Sequence, residues 1–468
     1  MAVRDTAAAI TLVALSLISA LGLAVGSYLA LFSRSLELGV RQFHNDRARE
    51  LAQTGLEEAL WALNQDNWSG SGPSGAVAWT TTGLNRSVTL DYGSLGHGAT
   101  GQVVVTVNNY ASAGPVWPTA ISDATVTLGT GRIIREKLQA ATAPAPLFGN
   151  AIASAEADVT FVAGGTVDSW NSDPDNNPAT AAVPYSFTAG DPANYAAVVA
   201  GRTDGVNGVV LTQAEVRGYV ATFGQPVAYS VSGSPPGKVR GPATAAGVNV
   251  DTARLGRSAF VPVSPVFTIT PPPTGGANYG GLILGALQLV NALLTAPLGI
   301  DLYETSGDLT ILGIPLVSPS LVVDRPLKII VNRDLTIGNG GVGFAGKITI
   351  TPTGSLQLFV LGDCTIGGNG IDNQNTDPAK CVIFCSSSAT SDTLQYTTAQ
   401  DFRGVIYCEN KPIDIRQNAT FHGALLSRNR VSFSASATAP VFHYDTALRG
   451  RRFDNITTPY VIRQLTEP

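Results

Sequence analysis

Charged residues are scarce in this chain, and their complete absence from one stretch is the strongest single signal it carries. Asp, Glu, Lys and Arg make up 13% of the 468 residues. None of them, and no His, falls in the 26-residue run from Ala7 to Phe32. As a helix the run spans about 39 Å, against a hydrocarbon core of about 30 Å. A helix buried in a soluble core rarely stays uncharged for so long, so the run reads as a membrane span. A cleaved secretory signal is the alternative, and Ala20-Leu-Gly22 would serve as its small-residue cleavage pattern. Such signals usually have an apolar region of only about 7–15 residues behind a basic start. Here Arg4 is the only basic residue ahead of the run, and Asp5 offsets it.

Other absences narrow the function. Net charge is −5 with no basic block in the body, which argues against nucleic acid as a partner. There is no G-x-S-x-G elbow, no H-E-x-x-H and no P-loop. The chain therefore reads as a non-enzyme with no cofactor. Of four histidines, His422 and His443 lie near the C-terminus without a Ser or Cys arrangement around them. No cysteine precedes Cys364; the four are Cys364, Cys381, Cys385 and Cys408. In a translocated chain they permit two disulfides, in any of three pairings. Stacked buried thiols are the other reading.

What is plentiful is glycine (50) and proline (28), with many Val, Thr, Ile and Ser. That balance suits short strands joined by tight turns. The expected fold is mainly β. It comprises a long N-terminal transmembrane helix, a small antiparallel sheet, and then an irregular parallel β-helix. Residues 1–66 form the helix, because no breaker follows Phe32. Leu36, Val40, Phe43, Arg47, Leu51, Gly55, Ala59 and Leu63 recur at spacings of three and four. A bend near Gly39 is the alternative to one continuous helix. Residues 67–142 hold four strand candidates, 87–92, 102–108, 120–128 and 132–141. Val103, Val105 and Val107 give one of them a fully apolar face.

Residues 147–450 contain repeats. Asp308-Leu-Thr-Ile, Asp334-Leu-Thr-Ile and Asp363-Cys-Thr-Ile recur, and residues 327–338 align with 356–367 without a gap. Asp158-Val-Thr-Phe is a distant relative. Short strands at such a period suggest a β-solenoid whose rungs stack on one another. The irregular period implies insertions between rungs. Residues 282–294 read as a short covering helix, 271–276 as a loop, and 451–468 as a C-terminal tail.

Three constellations invite a functional reading. Gly22, Gly26 and Ala30 put small residues on one helix face, where another helix could approach closely. Two acidic loops, 168–175 and 372–377, carry Asp168, Asn171, Asp173 and Asp175, and Asp372, Asn373, Asn375 and Asp377. Clustered oxygens of this kind suit Ca2+, but neither loop has the EF-hand order, and Asx turns explain them better. No metal site is therefore assigned. Asp308, Asp334 and Asp363 could imitate a glycosidase carboxylate pair. Their repetition favours a turn-capping role, since a catalytic site is singular.

The first 65 residues resemble the N-terminal region of PilX-type minor pilin-like proteins of bacterial type IV pilus systems. The carriers are the apolar span, Ser33-Arg-Ser-Leu, and Arg47-Ala-Arg-Glu-Leu-Ala-Gln-Thr-Gly-Leu-Glu-Glu-Ala-Leu60. Residues 52–60 are similar to the family's A-E-A-G-L-E-x-A-L run, with Gln53 and Thr54 as departures. Phe402-Arg-Gly-Val-Ile-Tyr-Cys, Asn418-Ala-Thr-Phe-His-Gly-Ala and Phe442-His-Tyr-Asp-Thr-Ala-Leu look like the solenoid often attached to such anchors. The family's cleavage Gly before the span is missing, as is the Glu five residues into the mature chain.

The resemblance implies a single-pass protein of the bacterial inner membrane with its bulk periplasmic or extracellular. It would serve a pilus or pseudopilus as a minor component, a primer of assembly or an adhesive tip. Its partners would be other pilin-like subunits or the assembly platform, met through the N-terminal helix, and a surface glycan. Arg34, Arg41, Arg47 and Arg49 after the span would by charge count alone place the body inside, but long domains translocate largely regardless of charge. A membrane-tethered polysaccharide-binding or polysaccharide-cleaving β-helix is the alternative, resting on the solenoid's long face and on Trp170, Tyr303, Phe344 and Tyr407.

Overall fold

The structure is a computed structural model. It describes residues 2–65, 67–68, 78–96, 98–110, 117–175, 177, 180–202, 208–222, 229–256, 268–271, 277–279, 282–284, 302–311, 320–338, 346–386, 392–434, 440–453, 456–457 and 460–466. Two compact units emerge. One comprises residues 1–144 and 459–468, and the other residues 145–458. The fold is mostly β, with a long N-terminal apolar helix, an antiparallel sheet and then parallel sheets.

In the first unit one helix runs unbroken from Ala2 to Gln65, about 95 Å at 1.5 Å per residue. Gly39 does not interrupt it. Its two halves meet different surroundings. From Leu12 to Phe43 every described side chain is exposed. From His44 onward one face is buried, through Ala48, Leu51, Ala52, Gly55, Leu56, Ala59, Ala62 and Leu63. The buried stripe thus starts at His44. Leu36, Val40 and Phe43 stay exposed, and Arg47 points to solvent, where it pairs with Glu50 at 2.7 Å. The stripe drifts round the helix because 3.6 residues per turn does not keep a strict spacing of four on one line.

The face packs on a six-stranded antiparallel sheet, in the order 80–82, 85–96, 99–108, 119–127, 133–144 and 460–466. Val103, Val105 and Val107 point to the helix, as do Ala120, Ser122, Ala124 and Val126, while Val104 faces out. Small residues let the helix come close. A Cβ at Gly55 would lie 2.2 Å from the Ser122 hydroxyl and 2.8 Å from Val103. The expected C-terminal tail is not one. Tyr460–Thr466 pairs antiparallel with 133–144 and completes the sheet's edge. Asn64 anchors it from the helix, donating to the Tyr460 carbonyl and accepting from the Tyr460 amide. These contacts span almost 400 residues of sequence, so local pattern could not announce them.

The second unit is built of parallel sheets. One has ten strands, a second has thirteen, and a third has three. The repeats stack in register. Leu327–Val331 lies against Leu356–Val360, and Leu335-Thr-Ile337 against Cys364-Thr-Ile366. Leu309, Leu335, Cys364, Leu394, Ile413 and Val431 form one inward column, and Ile311, Ile337, Ile366, Tyr396, Ile415 and Phe433 a second. Each such side chain, once buried, contributes about 1.5–3 kcal/mol.

Successive rungs begin at 309, 335, 364, 394, 413 and 431. The longer early rungs carry an additional strand, at 320–323, 347–350 and 371–373, and the later ones do not. A change in the number of walls accompanies the change in spacing; residues 312–319, 339–345 and 387–391, inside the longer rungs, lie outside the described residues. Residues 282–284 are not the start of a helix: they pair in parallel with 309–311 and extend the stack. Stacking outweighs the helix preference of a Leu-rich run. The rest of that expected helix and residues 272–276 lie outside the described residues.

Chain order and stack order also differ. Beyond 431–433 the next strand is 159–161, followed by 209–212 and 229–232. The unit's earliest rungs in sequence stack on its last. Phe161 lies flat on Phe433 with centroids 4.3 Å apart, and Asp158 pairs with Arg430 at 2.7 Å. The weak Asp158 repeat is therefore a true rung, adjacent to the final one.

Candidate functional site

The small-residue face expected for assembly is open. Gly22 and Gly26 have no heavy atom within 4 Å of where a Cβ would sit, and Ala30 is exposed. Around them Leu21, Leu23, Val25, Leu29 and Phe32 are all more than half exposed. A helix this apolar, with mean hydropathy 2.0 over an 18-residue window and no part of that window buried, is long and apolar enough to cross a membrane. Where this stretch gives way to the packed half, a concavity of about 650 Å3 opens between Phe32, Leu36, Val40, Phe43 and Leu128. His44 closes its floor, 2% exposed.

The repeated aspartates cap turns. Asp308 accepts from the backbone amide of Asp334, Asp334 from that of Asp363 at 2.8 Å, and Asp363 from that of Thr393 at 2.7 Å. Each carboxylate thus serves the rung that follows it, and the three do not converge on one point as a glycosidase pair must.

The two acidic loops use their oxygens internally. Asn171 accepts from the Asp173 amide, Asp173 from Asn177, Asn373 from Asn375 and Asp377 from Ala379. Arg451 sits between them, 3.8 Å from Asp173 and 3.5 Å from Asp377. Its guanidinium thus already faces one carboxylate of each loop. Asp445 nearby is pushed up by burial, opposed by its hydrogen bonds from Ser172 and Ala447. Among the described residues no three His, Cys, Asp or Glu side chains are placed to hold a metal ion.

Asp168 leaves its loop for a different cluster. Strand register sets Arg403, His422, His443 and Asp168 side by side on successive strands. His443 Nδ1 donates to Asp168 at 2.6 Å, and the Tyr185 hydroxyl donates to the other carboxylate oxygen at 2.9 Å. The Tyr185 ring stacks on His443 at 3.6 Å, and Trp170 meets both Tyr185 and His422 edge-on. Burial, with His443 4.9 Å away, holds His422 at about 4. Sequence spacing could not reveal this cluster, since its two halves, residues 168–185 and 403–443, are more than 200 residues apart and meet only through rung order. Tyr185 spends a face on His443, and Trp170 is buried against Tyr185 and His422, so Trp170 is not on an open sugar-binding face.

All four cysteines are free and fully buried. Cys385 and Cys408 are register partners on adjacent strands, and Cys364 begins the strand one rung earlier. Cys364 and Cys408 both donate hydrogen bonds to the Cys385 sulfur, which pulls the Cys385 thiol well below its usual range. Lys411, fully buried, lies close enough to add to this effect, and its Nζ donates to the Gly362 carbonyl. Cys381 stands apart, pushed up to about 12 by burial alone.

Comparison with known proteins gives little beyond this. A family model described as a domain of unknown function, DUF7305, matches residues 321–451, less than a third of the chain. No curated protein matches. Among solved structures, the competence-associated pilin ComZ from Thermus thermophilus aligns over 90% of this chain and 97% of its own. The two share 11% identity with a TM-score of 0.27. A likeness that low leaves fold and function to this chain's own residues.

Proposed function

We propose that this protein is a structural component of a type IV pilus-like or pseudopilus assembly, a PilX-type minor pilin-like protein rather than an enzyme. It is anchored by a single pass in the bacterial inner membrane and carries a β-solenoid outside the cytoplasm. One observation carries the reading. A single rigid helix is bare and apolar over its first half and packed on a sheet over its second. The bare half must be covered by lipid or by other helices, because water would leave the sixteen exposed large apolar side chains described between Leu12 and Phe43 hydrated. The Gly22, Gly26 and Ala30 face suits helices as neighbours. The packed half fixes the helix to a folded body, so neighbours gripping the bare half would position that body too.

Co-purification from detergent extracts tests this. Pilin-like subunits or platform proteins should accompany the full-length chain, and cross-linkers placed at Gly22 and Gly26 should capture them. A monomer in every extract, with no cross-link at either position, would refute assembly through this helix. Topology needs a reporter of its own, because the native thiols are buried. Ser94→Cys, in an exposed position, should react with an impermeant maleimide before the inner membrane is breached.

A further inference from the structure

Phe32, Leu36, Gly39 and Phe43 follow one another along the bare half of the helix at spacings of four, three and four. The alternation runs back through Leu29, Val25, Gly22 and Ile18 to Leu15 without a break. This is a heptad seam. Leu15, Gly22, Leu29, Leu36 and Phe43 fall at position a, and Ile18, Val25, Phe32 and Gly39 at position d. Within the span every residue is uncharged, so the seam is informative only beyond Phe32. There the charges obey it. Arg34 and Arg41 fall at f and Glu37 at b, away from the seam that a coiled-coil partner would cover. The seam stops at Phe43, because its next two positions are Asp46 and Glu50.

The seam is uncovered. Its large side chains are exposed by 39% at Phe43 to 68% at Ile18, and no heavy atom lies within 4 Å of a Cβ built at Gly22 or Gly39. The concavity of about 650 Å3 is its C-terminal end. There Phe32, Leu36, Gly39 and Phe43 are joined by Ser35 at g and Val40 at e, the positions that flank the seam. The folded sheet does not take the seam for itself. Ala48, Leu51, Ala52, Gly55 and Ala59, which pack on it, fall at f, b, c, f and c. The body therefore stands on the outer side of the helix.

Two arguments choose the occupant. Lipid is too short. The seam side carries no charge from Ala7 to Phe43, about 54 Å of helix, and the hydrocarbon core covers about 30 Å. The remainder, which includes the concavity, needs protein. A second copy of the chain brings that protein in the right pose. Held by the same span in the same membrane, it presents its own residues 32–43 at the same height and in the same direction. Identical seams then meet with a opposite a and d opposite d, as a parallel coiled coil requires. Glycine at 22 and 39 lets the two backbones approach closely.

We propose that a second copy of this chain lies along Leu15–Phe43, its helix parallel and in register with the first. The strict seven-residue repeat makes the pair a left-handed coiled coil. The inference rests on the membrane anchor proposed above and is independent of membership in a pilus. Gly26 and Ala30 fall at e and b, beside the seam rather than in it, and remain for pilin-like neighbours. Leu at a with Ile or Val at d accommodates further copies around the same axis.

The test is cross-linking of the full-length chain in isolated membranes with a short bis-maleimide. Ser35→Cys, Leu36→Cys, Glu37→Cys and Arg41→Cys each add one accessible thiol, since the four native cysteines are buried. Ser35→Cys and Leu36→Cys should give a product of twice the chain mass, several-fold more than Glu37→Cys or Arg41→Cys. Adding Gly39→Lys should cut the Ser35→Cys product several-fold. Near-ultraviolet circular dichroism should stay unchanged, because nothing packs on Gly39. Equal yields at all four positions, or no product in the membrane fraction, would overturn the pairing. A product joining Ser35→Cys to a different protein would overturn it too, and would leave the pilus role standing. A pair of identical chains with no pilin-like protein in the extract would support the pairing and count against that role. Recovery of the chain outside the membrane fraction would refute the anchor and the pairing with it.

Discussion

In the helix–sheet unit the central strands have one covered face and one wet face, whereas the edge strands Thr80–Thr82 and Tyr460–Thr466 have no buried residue. Val103, Val105 and Val107 go under the helix, and Gln102, Val104 and Thr106 do not all follow. Among the described residues of the parallel-sheet unit no α-helix covers a sheet, and the walls cover one another. Strands there read inward at both ends with one outward residue between, as in Leu335-Thr-Ile337 and Ile413-Asp-Ile415. The first unit depends on a close approach between two unlike elements. The second depends on like residues meeting like residues one rung on. A defect in the first should therefore act at one contact, and a defect in the second should act along a column.

The largest expected effect comes from the column at the point where the chain's first rung meets its last. Phe433→Ala removes the ring stacked on Phe161 and should cost about 3–4 kcal/mol. Urea unfolding followed by near-ultraviolet circular dichroism should show an earlier transition for the parallel sheets. The helix–sheet transition should stay in place; a shift of both together would show that the two units unfold as one. Gly55→Leu probes the other kind of packing. Its side chain has no room against Ser122 and Val103, and about 2 kcal/mol should be lost from the helix–sheet transition alone.

A pH scan should separate the units further. His422 is held at about 4 in the folded protein, from an ordinary value of 6.5, with His443, Arg403 and Asp401 around it. The folded chain refuses a proton that the unfolded chain accepts. This contribution is complete above pH 6.5 and is lost as pH falls towards 4. The parallel-sheet transition should weaken by about 1–2 kcal/mol over that window, and His422→Gln should flatten the slope. The smallest effect belongs to the aspartate ladder. Asp334→Ala removes the acceptor for the Asp363 amide and should cost about 1 kcal/mol by thermal melting. An unchanged melting point would mean that water replaces the carboxylate there.

Much of this architecture was legible in the residues themselves. The uncharged run announced the helix, and the absence of a breaker after Phe32 carried it to Gln65. The alternating valines announced the sheet. The ungapped match between 327–338 and 356–367 gave the register that the strands adopt. The aspartates were read as caps, and their amide partners turned out to lie on the following rung. Of the helix stripe, Leu51, Gly55, Ala59 and Leu63 are buried while Leu36, Val40, Phe43 and Arg47 stay exposed, because only the sheet decides which part of the helix is covered. The short helix at 282–294 was misread where it is described, because stacking on 309–311 overrides local preference.

Sequence alone settled the elements whose physics is local: the apolar span, the strand periodicity, the repeated turn caps, and the small residues at 22, 26 and 30. Tertiary structure alone decided what depends on meeting a distant partner. It placed rung 159–161 on rung 431–433, and it brought Tyr460–Thr466 back to the sheet edge. It set Asp168 against His443 and Tyr185. It gathered three of the four cysteines around Lys411 while leaving Cys381 aside. None of these leaves a periodic trace in the chain, because each joins residues whose separation is set by the whole path between them.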